Sequence, residues 1–299
     1  TMEQELTFND AEKAFVRYNV DFTEDKFIAL GLRNLHDDHY TNLALLLSDQ
    51  CQHTIKVAVF ADEDRTIFKD AKEFGGSIFR QLDDAYSYLL LCNRTSATFQ
   101  GLNRVEKKDY PEEALREALL NAMVHRDYSF SGSIIINVND AAMEFISIGG
   151  LLPGLSVEDI RSGISQPRNR KLAEIFHRLK LIESYGTGIR RIFKLYENHS
   201  VQPRIEVTPN AFKLILPNTN YVNTIDNVSI KEKNAAPAIT PQMKVVLGYL
   251  SEYGEISEEE LQELLNVKRT RAYLIARQML EQGLIQCSGR GISKRYYLK

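Results

Sequence analysis

Cysteine is scarce in this chain, and the three present, Cys51, Cys92 and Cys287, have neither paired nor metal-type spacing. That excludes a disulfide-framed secreted domain and a cysteine zinc site, and it fits structural thiols in a reducing cytoplasm. No apolar run reaches the length of a membrane span and no signal-peptide pattern opens the chain, so no membrane partner is expected. Positive charge is not in excess either. The formal net charge is -3, so any contact with nucleic acid has to come from a local patch. No internal repeat marks a solenoid, and no phosphate-loop lysine motif is present.

What is present is enough chain, 299 residues, for two or three domains. Residues 1–105 read as a mixed α/β segment, with a β-branched strand over 54–60 and a helix over 77–92, where Ile78, Leu82, Ala85 and Leu89 recur at helical spacing. Residues 106–217 read as a second unit. It opens on a helix that Asp109 caps, with Pro111 in its first turn and Glu112 and Glu113 at its positive end. Strands over 133–138 and 143–148 follow, joined at Asn139-Asp140. Ser156 and Asp159 then have capping-box spacing, helices carry Leu172, Ile175, Phe176 and Leu179 and then Ile189, Ile192 and Phe193, and a hairpin turns at Pro209-Asn210. Residues 218–239 are polar and aperiodic, a linker, and 240–299 form a separate small helical module. The expected class is α+β.

The most informative stretch is Glu117-Ala-Leu-Leu-Asn-Ala-Met-Val-His-Arg-Asp-Tyr128. Residues four apart are neighbours on a helix, so Glu117, Asn121 and His125 form one polar stripe, while Leu115, Ala118, Leu119, Ala122 and Met123 form the buried one. A carboxylate, a carboxamide and an imidazole suit a Mg²⁺ ion, a water and a phosphate better than they suit solubility. An ATP site without a phosphate-loop lysine also needs glycine loops whose N–H groups meet phosphate oxygens. Gly186-Thr187-Gly188 at a helix start and the turn 149–154 supply them. The structural alternative is a Glu117–Asn121 hydrogen-bonded pair that fixes the helix, with His125, Arg126 and Asp127 closing its end.

Taken in order, Arg116-Glu-Ala-Leu-Leu-Asn-Ala-Met-Val-His-Arg-Asp-Tyr-Ser129, Gly149-Gly-Leu-Leu-Pro153, Pro167-Arg-Asn169 and Ile182-Glu-Ser-Tyr-Gly-Thr-Gly-Ile189 resemble one family. It combines a Schlafen/AlbA-type DNA-binding domain with a divergent ATP-binding domain of the GHKL superfamily, which has the Bergerat-like α/β sandwich. The resemblance covers roughly 110–216, with a weaker echo at Leu30-Gly-Leu and 40–47. The Schlafen/AlbA-type domain has no counterpart here, and with Thr1 as first residue the expectation is a fragment of a longer protein. The resemblance implies that Glu117 activates water, that Asn121 binds Mg²⁺ through the nucleotide, and that Gly186 and Gly188 flank phosphates. Thr187 lies between those glycines. Arg168 and Asn169 match a lid-like Arg-Asn motif. GHKL proteins read the adenine amino group with Asp-x-Gly; here Ser147-Ile-Gly149-Gly150 stands in its place, which leaves Ser147 or a backbone carbonyl as acceptor and weakens base discrimination.

The last sixty residues read as three helices and a basic hairpin, the pattern of a winged helix-turn-helix. Lys268, Arg269, Thr270 and Arg271 open the third helix, and Arg290, Lys294 and Arg295 sit on the wing, placed for base edges and phosphates respectively. The expected function is a cytoplasmic, homodimeric transcriptional regulator that binds DNA and a nucleotide (ATP with Mg²⁺). The alternatives are a slow Mg²⁺-dependent ATPase and a scaffold that retains the fold but binds no nucleotide.

Overall fold

The computed structural model describes residues 1–183, 186–221, 241–265, 267, 269–281, 283–288 and 294–298. It falls into two compact units, Thr1–Tyr221 and Val222–Lys299.

The larger unit is mixed α+β, built on one six-stranded sheet. Its strands are β1 (Ile55–Phe60), β2 (Phe68–Phe74), β5 (Ile134–Val138), β6 (Ala142–Ile148), β7 (Arg204–Thr208) and β8 (Ala211–Pro217), in the order β2-β1-β5-β6-β8-β7. Only β1 and β5 run parallel, with Ile55 opposite Ile134 and Val59 opposite Val138. A parallel pair needs a long crossover. Here it consists of β2, the helix α4 (Ile78–Cys92), the hairpin β3–β4 (Thr95–Gln100, Asn103–Lys108) and the helix α5 (Glu112–His125). The boundary expected at residue 105 therefore falls inside one sheet and one hydrophobic core rather than between domains. Alternation sets which face is covered: Ile134, Ile136 and Val138 are buried while Ile135 between them is exposed.

Ahead of β1 lie α1 (Asn9–Arg17), a 3-10 turn over Glu24–Lys26, α2 (Phe27–Leu30) and α3 (Asn42–Leu47). They close over an aromatic cluster in which the Phe8 and Phe27 rings lie 5.5 Å apart and those of Phe15 and Phe22 4.6 Å. After β6 come α6 (Val157–Ser162), α7 (Arg170–Arg178) and α8 (Thr187–Leu195). The Ser156–Asp159 capping box starts α6, both of its reciprocal hydrogen bonds being present.

Helix α5 is the axis of this unit and packs on α4, α8 and β6. It begins at Glu112 with Pro111 as N-cap, not with Asp109 as the sequence suggests. Asp109 is committed elsewhere: its N–H donates to the Arg94 carbonyl, and its own carbonyl accepts from Thr219. Ala114, Leu115, Ala118, Leu119, Leu120, Ala122, Met123 and Val124 are all buried; past the exposed first turn of Glu112 and Glu113, the half-buried positions are Arg116 and the line Glu117, Asn121 and His125.

The smaller unit contains α9 (Pro241–Tyr253), β9 (Glu255–Ser257), α10 (Glu258–Leu265), α11 (Arg269–Glu281), β10 (Ile285–Ser288) and β11 (Arg295–Leu298). The hairpin expected from the sequence gains a third strand, giving the antiparallel order β10-β11-β9 around a core of Met243, Val246, Leu250, Ile256, Met279 and Tyr296. Ser257 belongs to β9, opposite Arg295, and still caps α10 by accepting from the Glu260 N–H at 3.2 Å.

Candidate functional site

A cavity of about 540 Å³ opens beside the polar stripe of α5, within the size range of small-ligand sites. Its walls are α5, the loop after β6, the segment leading into α7, and the N-terminal end of α8. The stripe residues Glu117, Asn121 and His125 line it, and so do Gly149, Gly150 and Arg168, and Gly186, Thr187 and Gly188. Two expected residues do not. Ser147 is paired with Phe212 on β8, so the two share a face of the sheet, and Phe212 forms the wall at that register. Asn169 has another task. Its Nδ2 donates to the carbonyls of Val124 at 2.8 Å and Arg126 at 2.7 Å, closing the C-terminal end of α5.

The stripe separates into held and free groups. Glu117 Oε1 accepts from Arg116 Nη1 at 3.0 Å and from Arg191 Nη1 at 3.1 Å. Its Oε2 faces Gly188, close enough that a Cβ at that glycine would lie 3.0 Å away. The expected alternative, a Glu117–Asn121 hydrogen bond, is not formed. Among the described residues, neither the Asn121 carboxamide nor the His125 imidazole has a hydrogen-bond partner. Burial first, and then the Arg168 guanidinium, press the His125 pKa down to about 4, so the ring is neutral at pH 7. Arg168 is anchored: Nη2 donates to the Gly150 carbonyl at 2.9 Å, and Nη1 lies 3.4 Å from Asp127 Oδ2.

Two glycines are fixed by close backbone approach. A Cβ on Gly150 would stand 2.5 Å from the Thr208 carbonyl oxygen and 2.6 Å from that of Pro209, so the loop after β6 rests directly on the β7–β8 turn. Gly186, the N-cap of α8, has φ +65°, and a Cβ there would meet the Gly163 carbonyl oxygen at 2.1 Å. Among the described residues no side chain caps α8, which leaves its first N–H groups at the cavity.

Sequence reasoning missed the charged surroundings of Glu117. Arg191 and Glu183 line the cavity and pair at 2.6 Å, while Thr187 Oγ1 donates to Glu183 at 2.7 Å. A signal existed for Arg191: it follows Thr187 by four residues and Gly188 by three, which puts it on the glycine-box face of α8. Leu151, Leu152, Leu155, Ile160 and Ile164 were also missed; they give the cavity an apolar wall. Among the described residues no group of three or more His, Cys, Asp or Glu side chains could hold a metal, so a Mg²⁺ ion here would depend on phosphate and water ligands beside Asn121.

Of the expected DNA contacts, Lys268 and Arg290 lie outside the described residues. Arg269, Thr270 and Arg271 open α11, with side chains outside the described set. Arg295 pairs with Glu260 at 3.1 Å, and the Lys294 ammonium sits 5.0 Å from the centre of the Tyr296 ring. Neither is an unengaged cation, because each has found a partner within its own unit.

Residues 132–216, from β5 through β8, match the family model described as "Putative ATP-dependent DNA helicase recG C-terminal". The match supports an ATPase-like domain and takes in both glycine loops, though it begins after α5. The chain is similar in fold to the crystal structure of the DIP2311 protein from Corynebacterium diphtheriae, with a TM-score of 0.62 at 19% identity. That likeness covers 98% of this chain, which spans 60% of the other's length. Comparison with curated proteins gives no match. No helix among the described residues is long and apolar enough to cross a membrane.

Proposed function

We propose that the cavity on α5 is a GHKL-type nucleotide site for ATP with Mg²⁺, carried by a cytoplasmic transcriptional regulator. The observation that supports this best is the meeting of an unpaired Asn121 carboxamide with the uncapped N-terminus of α8 in one cavity. A free amide can ligate a phosphate-bound Mg²⁺, and helix N–H groups suit phosphate oxygens. The family description, with its ATP dependence, agrees with that choice of ligand. With Ser147 absent from the cavity lining, base recognition falls to backbone groups, and discrimination among bases is weak. Calorimetric titration with ATP and Mg²⁺ tests the reading. Saturable binding that Asn121→Ala abolishes is the expected result, and no heat at millimolar nucleotide would leave the domain a scaffold.

The smaller unit is read as a winged helix that binds DNA. In its favour is the element order helix, strand, two helices, two strands, with Arg269, Thr270 and Arg271 at the start of the third helix. Pairing of two copies would present two such helices to a two-fold operator, which the mass of the protein in solution checks. One observation bears on the enzymatic alternative. Glu117 Oε1 is already occupied by two guanidiniums, so only Oε2 is left to take a proton from water. Binding is thereby favoured over rapid turnover. If slow hydrolysis occurs, Glu117→Gln should abolish it and spare binding.

A further inference from the structure

Four charged side chains meet at the N-terminal end of α8. Arg191 donates Nη1 to Glu117 Oε1 at 3.1 Å and Nη2 to Glu183 Oε1 at 2.6 Å. Arg116 donates Nη1 to the same Glu117 oxygen at 3.0 Å and Nη2 to the Leu181 carbonyl at 2.6 Å. Two guanidiniums and two carboxylates leave the group without net charge, although Glu117, Glu183 and Arg191 all face the cavity. The two carboxylates are not equivalent. The Glu117 side chain is 12% exposed and has Arg116 as a second partner, whereas that of Glu183 is 50% exposed. Arg191 above all, and then Thr187, hold the Glu183 carboxyl below the usual range, and Glu183 is the chief partner of Arg191 in return. Exposed ion pairs of this kind exchange readily. A guanidinium fork fits a phosphate as well as it fits a carboxylate.

We propose that Arg191 reads the terminal phosphate of a nucleoside triphosphate, giving up its two carboxylates to bind it, and that Glu183 is the competitor that retains it otherwise. This rests on the nucleotide reading of the cavity and adds the triphosphate as the form recognised. The exchange leaves no bare buried charge, because Glu117 keeps Arg116 and Glu183 stays in water with its Thr187 hydrogen bond. A diphosphate, lacking the terminal group, leaves Arg191 on Glu183.

Calorimetry of the full chain with Mg-ATP and Mg-ADP, on wild type, Arg191→Ala and Glu183→Gln, tests this. Arg191→Ala should weaken ATP binding by about ten-fold or more while changing ADP binding by less than about three-fold, as expected for one charge-assisted interaction. Glu183→Gln should strengthen ATP binding several-fold and leave ADP unchanged. That gain cannot come from a damaged fold. Equal weakening of both nucleotides by Arg191→Ala, or weaker ATP binding in Glu183→Gln, overturns the proposal. If both nucleotides bind and neither variant moves their ratio, the role of Arg191 falls alone. If neither nucleotide saturates the wild type, the nucleotide reading falls with it.

Discussion

Replacing Asn169 by Ala tests what the Arg-Asn motif is for. The resemblance puts Asn169 in a lid-like Arg-Asn motif, but its amide spans two carbonyls at the end of α5, those of Val124 and Arg126. Both belong to the group of C-terminal acceptors that a helix cannot satisfy internally. Each neutral hydrogen bond contributes about 1 kcal/mol net, so losing both should cost roughly 2 kcal/mol. For a unit of this size that corresponds to a fall of roughly 4–8 °C in melting temperature. The comparison is Asn121→Ala. Among the described residues the Asn121 side chain has no hydrogen-bond partner, and Ala is the better helix former, so this variant should melt within about 1 °C of wild type or slightly above it.

Thermal melts of the full chain by circular dichroism, following the transition of the larger unit, separate the two variants. Nucleotide titrations should reverse the ranking, with Asn121→Ala losing ATP and Asn169→Ala retaining most of its affinity below its melting point. An Asn169→Ala protein that melts with wild type yet fails to bind ATP would refute the helix-closing role and assign Asn169 to the ligand instead.

Gly150→Ala should destabilise the larger unit by about 2 kcal/mol or more in urea unfolding, because the new methyl meets backbone carbonyls that cannot swing aside; an unchanged midpoint would show that the loop does not rest on the β7–β8 turn. His125 makes stability depend on pH. Its folded-state pKa is about 4 against an ordinary 6.5, so between these values the unfolded chain binds a proton that the folded chain refuses. Stability should therefore fall by up to about 3 kcal/mol from pH 6.5 to 4, and His125→Gln should flatten that segment of the curve. Identical pH profiles for the two proteins would contradict burial of the ring. Charge reversal at both Arg269 and Arg271 should weaken DNA binding and reduce the salt slope by about 1 for each phosphate no longer neutralised; unchanged affinity would exclude α11 as the reader.

How far the sequence reveals this protein follows from how local each feature is. Helix α5, the Ser156–Asp159 capping box, the β7–β8 hairpin and the helix opened by Gly186 all announce themselves within a few residues, and each stands where local pattern puts it, save that Pro111 rather than Asp109 is the N-cap of α5. The β1–β5 pairing does not. A parallel contact between Ile55 and Ile134 has no turn to signal it, so two parts of one sheet read as separate domains. Strand β2 was equally hidden, since Phe68-Lys-Asp-Ala-Lys-Glu-Phe74 is a largely exposed edge whose charges discourage pairing with another chain.

The site shows the same limit in sharper form. Helical spacing puts Glu117, Asn121 and His125 on one line, and the cavity contains all three. Spacing says which side chains share a face, but not which of them are already bonded to residues far along the chain. Arg191 follows Glu117 by 74 residues, and their hydrogen bond occupies one of the two carboxylate oxygens, which leaves only Oε2 for a catalytic reading. Asn121 and His125 have no such partner among the described residues. A polar stripe kept only for structure would have bonded its own members, as the Glu117–Asn121 alternative requires. The stripe instead carries one carboxylate held from outside and two neutral groups that no described residue holds, on a helix most of whose remaining residues are buried. Both groups line the cavity, and a ligand that meets their donors and acceptors is the physical reason to keep them there.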